Sequence, residues 1–161
     1  MKVVILAGGL GTRISEYTKS VPKPMIKVLG KPILMRIIEH FVKHGHREFY
    51  IAAGYKSKTI EDYFKTIKDN KKYTVNIINT GKSTMTGGRL KRLKHYLNET
   101  FLMTYGDGLS NVNINKLIKF HNKNKKMAVV YKSIYRINYG RRNPRAKAHV
   151  VVVKFRIKTS S

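Results

Sequence analysis

The chain has 161 residues, 42% of them hydrophobic, with a mean hydropathy of −0.37 and no cysteine; this suits one domain with a core and excludes disulfides and thiolate metal sites. No apolar run nears the roughly 18–20 residues of a bilayer span, and Met1-Lys2-Val3 leads straight into a strand, so no membrane association and no signal peptide are expected, and a cytoplasmic setting is. Thirty-four Lys and Arg against eight Asp and Glu give a net charge of +26, which points either to a polyanionic partner or to a solvated Lys- and Asn-rich surface.

The predicted elements run strand, helix, four times over. Residues 3–7 are an apolar strand that delivers the chain into Gly8-Gly9-Leu10-Gly11-Thr12-Arg13. Glycines allow a sharp turn and close approach to a ligand. Successive free N–H groups then form an anion site, to which Arg13 adds a fixed positive charge. The competing reading is a tight strand-to-helix connection. The spacing fits neither the dinucleotide fingerprint nor the P-loop; Gly81-Lys82-Ser83 has Asn76 where a P-loop requires glycine.

Pro22-Lys23-Pro24 excludes regular helix and holds an extended segment. Residues 31–44 place Ile33, Leu34, Ile37, Ile38, Phe41 and Val42 at helical period, with Gly45 as the stop. Residues 48–53 read as a strand, and a helix follows from Ser57, whose hydroxyl can cap it. Residues 73–78 alternate as a strand, residues 80–88 form a polar loop, and residues 89–97 return to helical spacing. Residues 100–105 form an apolar strand ending on Gly106-Asp107-Gly108, and Asn113 caps a last helix. Such alternation implies a mostly parallel sheet with helices on both faces, whose ligands bind beyond the carboxyl ends of the strands. The glycine turn and Asp107 both fall at that edge. A lone carboxylate there suits Mg²⁺, which takes one or two carboxylates plus phosphate oxygens; the alternative is a type I turn in which Asp is merely a good turn former.

No Cys/His finger, RNP-like aromatic strand or recognition helix accompanies the basic charge. Lysines are spread along the chain apart from Lys123, Lys125 and Lys126. The expectation is no specific nucleic-acid partner, only non-specific adhesion to polyanions at low salt. The six histidines, including His40, His46 and His121, show no zinc spacing and read as helix-surface or loop residues.

Seven segments together resemble the sugar-nucleotide pyrophosphorylases. They are Leu6-Ala-Gly-Gly-Leu-Gly-Thr-Arg13, Pro22-Lys-Pro-Met25, Gly30-Lys-Pro-Ile33, Gly54-Tyr-Lys56, Asn79-Thr-Gly81, Ser83-Thr-Met-Thr-Gly-Gly-Arg-Leu-Lys-Arg92 and Thr104-Tyr-Gly-Asp-Gly108. The stretch 85–92 is similar to the cytidylyl-transferring branch, and the likeness runs from residue 1 to about 126. It implies a truncated three-layer Rossmann-like nucleotidyltransferase fold and transfer of a cytidylyl group from CTP to α-D-glucose 1-phosphate, giving CDP-glucose and pyrophosphate. On this resemblance Leu6, Ala7, Gly8, Gly9, Leu10, Gly11 and Thr12 with Arg13 would hold the triphosphate. Lys23 would bridge the α-phosphate and the sugar phosphate, against the alternative of an ordinary surface lysine. Arg13 and Lys23 would be catalytic, Thr84, Arg89 and Gly106 would meet the nucleotide, and Asp107 would hold Mg²⁺.

Two departures stand out. Residues 64–79 are shorter than the family pattern, in a region that helps build its homo-oligomer. From residue 127 the pattern stops: the Glu-Lys-Pro and Asn-Gly-Gly segments and the second metal Asp of the sugar-binding half do not occur. Residues 127–161 hold nine basic residues and no acid. The resulting division is a nucleotide-binding part, 1–126, and a divergent basic tail, 127–161. We read the tail as out-of-frame or chimeric sequence, the competing view being a natural basic tail with residues 150–155 as an edge strand. Impaired turnover is the corresponding expectation.

Overall fold

The computed structural model describes residues 1–9, 21–67, 72–136 and 145–154. A six-stranded sheet forms the centre: β1 (Val3–Leu6), β4 (Glu48–Ala53), β5 (Thr74–Asn79), β6 (Phe101–Tyr105), β7 (Ala128–Arg136) and β8 (Arg145–Val153), in the order β5-β4-β1-β6-β8-β7. The four strands from β5 to β6 are parallel, and β8 runs antiparallel to both of its neighbours, β6 and β7. Four helices accompany them among the described residues: α1 (Ile33–Lys43), α2 (Ser57–Thr66), α3 (Thr86–Arg92) and α4 (Ile114–Asn124).

Period-2 alternation in β1 divides the core into two clusters. Val3 and Ile5 pack with Leu34, Ile38 and Phe41 of α1, Ile60 of α2, and Ile114 and Leu117 of α4. Val4 and Leu6 pack on the other face with Leu93 and Leu97, just beyond α3. The sheet is therefore buried between two layers, which is why β1, β4 and β6 are nearly continuous apolar runs. Register places Leu6 beside Ala52 and Tyr105, so β1, β4 and β6 end level with one another.

Local chemistry sets most element boundaries. Asn113 accepts a 3.0 Å bond from the Lys116 amide at the start of α4, as its position predicts. Gly45, at φ +88, follows the end of α1. Ser57 does not cap α2: the N-cap is Lys56, left-handed at φ +52, and no side chain caps it. Residues 22–24 are not simply extended, because Lys23–Met25 closes a 3-10 turn through a 2.8 Å bond from the Met25 amide to the Pro22 carbonyl. A two-stranded ribbon, β2 (Lys27–Val28) with β3 (Lys31–Pro32), replaces the predicted first turn of α1. Leu29 and Gly30, both at positive φ, make its tight turn.

The boundary at residue 126 falls between α4 and β7, and both strands beyond it join the main sheet. Val150, Val151 and Val152 are buried in β8, which is internal because β7 covers it; the edge strand is β7, not residues 150–155. Two histidines also differ from expectation. His46 and His121 are buried, at 7% and 4% exposure, rather than on the surface.

His40 and His46 create a pH dependence. Burial pushes His40 below the ordinary 6.5, helped by His44 and Lys43 and only partly opposed by the Val112 carbonyl at 2.9 Å. Burial and the N-terminal charge do the same to His46. Both groups bind protons less readily folded than unfolded, so their contribution is complete above 6.5 and is lost as pH falls below it. Urea midpoints measured from about pH 8 to 5 should fall toward the acid end, and His46→Gln should flatten that slope.

Candidate functional site

The site is built where the parallel strands end. Past β1 come Ala7 and Gly8, both buried, and then Gly9, which is exposed. The Ala7 amide bonds the Ala52 carbonyl at 3.0 Å and the Gly106 amide bonds the Leu6 carbonyl at 2.9 Å, tying the turn to the strands on either side. Leu10, Gly11, Thr12 and Arg13 lie outside the described residues.

Gly106 brings the second component in. A Cβ there would stand 2.9 Å from the Pro24 ring and 3.2 Å from the Leu6 carbonyl oxygen, so only glycine admits the Lys23–Met25 turn against the end of β6. That approach delivers Lys23 to Asp107, 84 residues away in sequence, and Lys23 Nζ donates to Asp107 Oδ2. The two side chains are 30% and 34% exposed, so both charges remain open to a ligand. A cation and an anion thus meet beside a turn of backbone amides, which is what binding and aligning phosphates requires. Among the described residues no group of three or more His, Asp or Glu gathers to enclose a metal.

Thr84 is half-buried between two glycines. Its Oγ1 stands 2.8 Å from where a Cβ at Gly81 would lie, and its Cγ2 at the same distance from a Cβ at Gly88. Gly81 also has φ +86, so this bend is glycine-dependent twice over. Lys56 and Lys82 approach the Tyr55 ring at 5.3 and 5.8 Å, adding cations near the same edge.

Arg89 lies against the inner side of the glycine turn at Gly8. It is 5% exposed, and its guanidinium donates to the Thr80 hydroxyl at 2.6 Å and to the carbonyls of Gly8 at 2.8 Å, Ala53 at 3.1 Å and Lys82 at 3.4 Å. Burial, with Arg92 nearby, holds its pKa below the ordinary arginine value, although a guanidinium stays charged. The sequence reading missed Thr80, which is fully buried and also donates to the Ala53 carbonyl at 2.6 Å. Its place inside Asn79-Thr-Gly81, a motif already singled out, was the available signal.

The Nucleotidyl transferase family model matches residues 2–141. A glucose-1-phosphate cytidylyltransferase of Salmonella typhimurium is 41% identical, over 81% of this chain and 59% of its own length. A probable glucose-1-phosphate cytidylyltransferase of Bacillus subtilis is 38% identical, over 75% and 56%. The chain therefore spans rather more than half the length of these curated relatives. The fold is also that of HddC from Yersinia pseudotuberculosis complexed with GMP-PN, at TM-score 0.71 and 24% identity over 95% of this chain and 76% of that one. A UDP-glucose pyrophosphorylase complexed with UDP-glucose superposes with TM-score 0.67 at 18% identity, over 95% and 75%. No helix among the described residues is long and apolar enough to cross a membrane. With a three-layer α/β fold, this strand-end site and that degree of similarity, the chain belongs to the nucleotidyl transferase family.

Proposed function

We propose that the chain is the nucleotide-binding part of an enzyme transferring a cytidylyl group from CTP to α-D-glucose 1-phosphate. The meeting of Lys23 and Asp107 at the rim beside residues 6–9 supports the phosphate chemistry. The similarity to glucose-1-phosphate cytidylyltransferases supports the choice of nucleotide and sugar.

Both reactants are anions, so the work of the protein is charge neutralisation and in-line alignment. A sugar-phosphate oxygen attacks the α-phosphorus, the bond to the bridging oxygen breaks, and pyrophosphate leaves. Amides from Gly8 through Thr12, with Arg13, receive the triphosphate and the charge that builds on the leaving group. Lys23 turns from Asp107 to the α-phosphate and the incoming phosphate. Asp107 is a hard oxygen donor at the strand end and fits Mg²⁺, a single carboxylate being sufficient when phosphate oxygens complete the shell. That ion would supply charge neutralisation at the phosphates.

Calorimetric titration of the chain with CTP, UTP, GTP and ATP in magnesium should show CTP binding tightest. Pyrophosphate release with glucose 1-phosphate should be slow or absent, because the Glu-Lys-Pro and Asn-Gly-Gly segments of the family's sugar-binding half are missing from the sequence. Equal affinity for all four nucleotides removes the cytidylyl assignment, and turnover equal to that of a full-length relative removes the expected impairment.

A further inference from the structure

The outward side of α4 carries charge that the strand-end site does not use. Helical period turns Ile114, Leu117 and His121 inward, where all three are buried. It sets Lys116, Lys119, Phe120 and Lys123 together on the opposite side, and all four are exposed. Lys125 ends the helix in the left-handed conformation at φ +49, and Lys126 and Met127 follow, also exposed.

No counter-charge accompanies these lysines. Among the described residues none of the five takes part in an ion pair, and no Asp or Glu follows Asp107 in the sequence. A solvated lysine face is ordinary, but it does not call for large apolar side chains in the same place. Phe120 is 57% exposed and Met127 54%. Tyr131, at 38%, shares by the strand period the side of Val129, which packs into the core cluster with Leu117 of α4, so β7 adds a third.

Three occupants could meet a basic face of this kind, and the arrangement favours one. A second copy of the chain would set the same lysines against each other across an isologous contact, where like charges repel. Single-stranded nucleic acid is held in a groove whose aromatic rings stack successive bases. Here the surface is the outside of a helix with one ring, and Met127 offers nothing to stack on. An anionic bilayer uses both parts. Lysine heads meet the lipid phosphates while phenylalanine and methionine enter the boundary beneath the headgroups, and the long lysine stems let the charges stay at the surface.

We propose that the outward face of α4, with residues 125–127, docks the protein on a bilayer bearing anionic lipid. No helix among the described residues is long and apolar enough to cross a membrane, and docking by a face needs none. The expectation of no membrane association thus narrows to no crossing. α4 covers one face of the sheet rather than its strand ends, so docking does not require the rim that holds Lys23 and Asp107.

Flotation of the full chain with vesicles of equal parts phosphatidylcholine and phosphatidylglycerol tests this, with pure phosphatidylcholine as the uncharged surface. Physiological salt screens charges beyond about 8 Å, so the docking face dominates over the overall positive charge. Lys119→Gln with Lys123→Gln should weaken binding on the order of tenfold. Lys91→Gln with Lys94→Gln removes two exposed lysines beside the opposite core cluster and should change binding less than about twofold. Phe120→Ser leaves the charge unaltered and should cost about three- to tenfold. All these side chains are exposed, so thermal melts should match the parent. The chain contains no tryptophan, so Phe120→Trp supplies a single fluorophore. Its emission should shift to the blue on the anionic vesicles and be quenched by brominated acyl chains.

No flotation of the parent, equal losses from the two lysine pairs, unchanged affinity in Phe120→Ser, or emission that does not shift would each overturn the proposal. So would either other occupant: poly(U) RNA whose binding falls on Phe120→Ser while vesicle binding does not, or an oligomer that Phe120→Ser dissolves in sedimentation.

Discussion

Lys23→Met and Asp107→Asn should each weaken CTP·Mg²⁺ binding by about 10- to 100-fold, the worth of one or two charge-assisted contacts, but with different responses to magnesium. In the structure each side chain neutralises the other at the rim. A bound nucleotide divides the pair, sending Lys23 to phosphate oxygens and Asp107 to the cation. Removing Lys23 deletes a phosphate contact, so affinity drops at every magnesium concentration and still rises as magnesium is added. Removing the charge of Asp107 deletes the cation's protein ligand, so the residual affinity should respond little to magnesium beyond what forms the CTP complex. Neither change should move the melting temperature much, because an ion pair about one-third exposed contributes no more than roughly 1 kcal/mol. Calorimetric titrations at several magnesium concentrations, with a thermal melt of each variant, check both halves. Parent-like binding by both variants would remove the pair from the site.

What made this site readable in the sequence was the sheet edge. Residues 3–7, 48–53 and 100–105 announce buried strands by largely apolar runs, and the structure has β1, β4 and β6 there. Glycines follow β1, β4 and β6, and Asp107 follows β6, so topology brings the glycine turn and Asp107 to one edge. Lys23 was expected there only from the family resemblance, and it arrives through the packing of Pro24 on Gly106. Arg89 was not readable in the same way. Helical spacing through Leu90, Leu93 and Leu97 suggested a helix from residue 89, whereas α3 begins at Thr86 and turns into a 3-10 segment, Lys94–Tyr96. Gly87 and Gly88 are poor helix formers and hide that start. An arginine among glycines and lysines carries no sign of burial, since its acceptors are the Thr80 hydroxyl and three backbone oxygens contributed by other segments. The same limit applies to β8. Four consecutive valines declare a strand, but nothing local says that β7 will lie outside it.

The strand that supplies Ala53 and Gly54 to the site is held by an aromatic cluster, and its loss should be the most damaging single change in the core. Phe49 in β4 is fully buried, with its ring edge-on to Phe41 of α1 at 6.5 Å and to Tyr73 at 5.7 Å. It is paired in register with Val3 and Val75, so contraction around a cavity would require three strands to move. Phe49→Ala should therefore cost about 3–5 kcal/mol, a large part of the 5–15 kcal/mol typical of a domain. The urea midpoint should fall sharply with little change in slope, since the area exposed on unfolding barely alters. Tyr50, the next residue, points to the opposite face and donates to Glu48 Oε1 at 2.6 Å from a partly buried position. Tyr50→Phe keeps the ring and loses one hydrogen bond, so its cost should be near 1 kcal/mol. If the two variants melt together, β4 is not anchored as described, and the placement of Ala53, Gly54 and Arg89 would lose its mechanical basis.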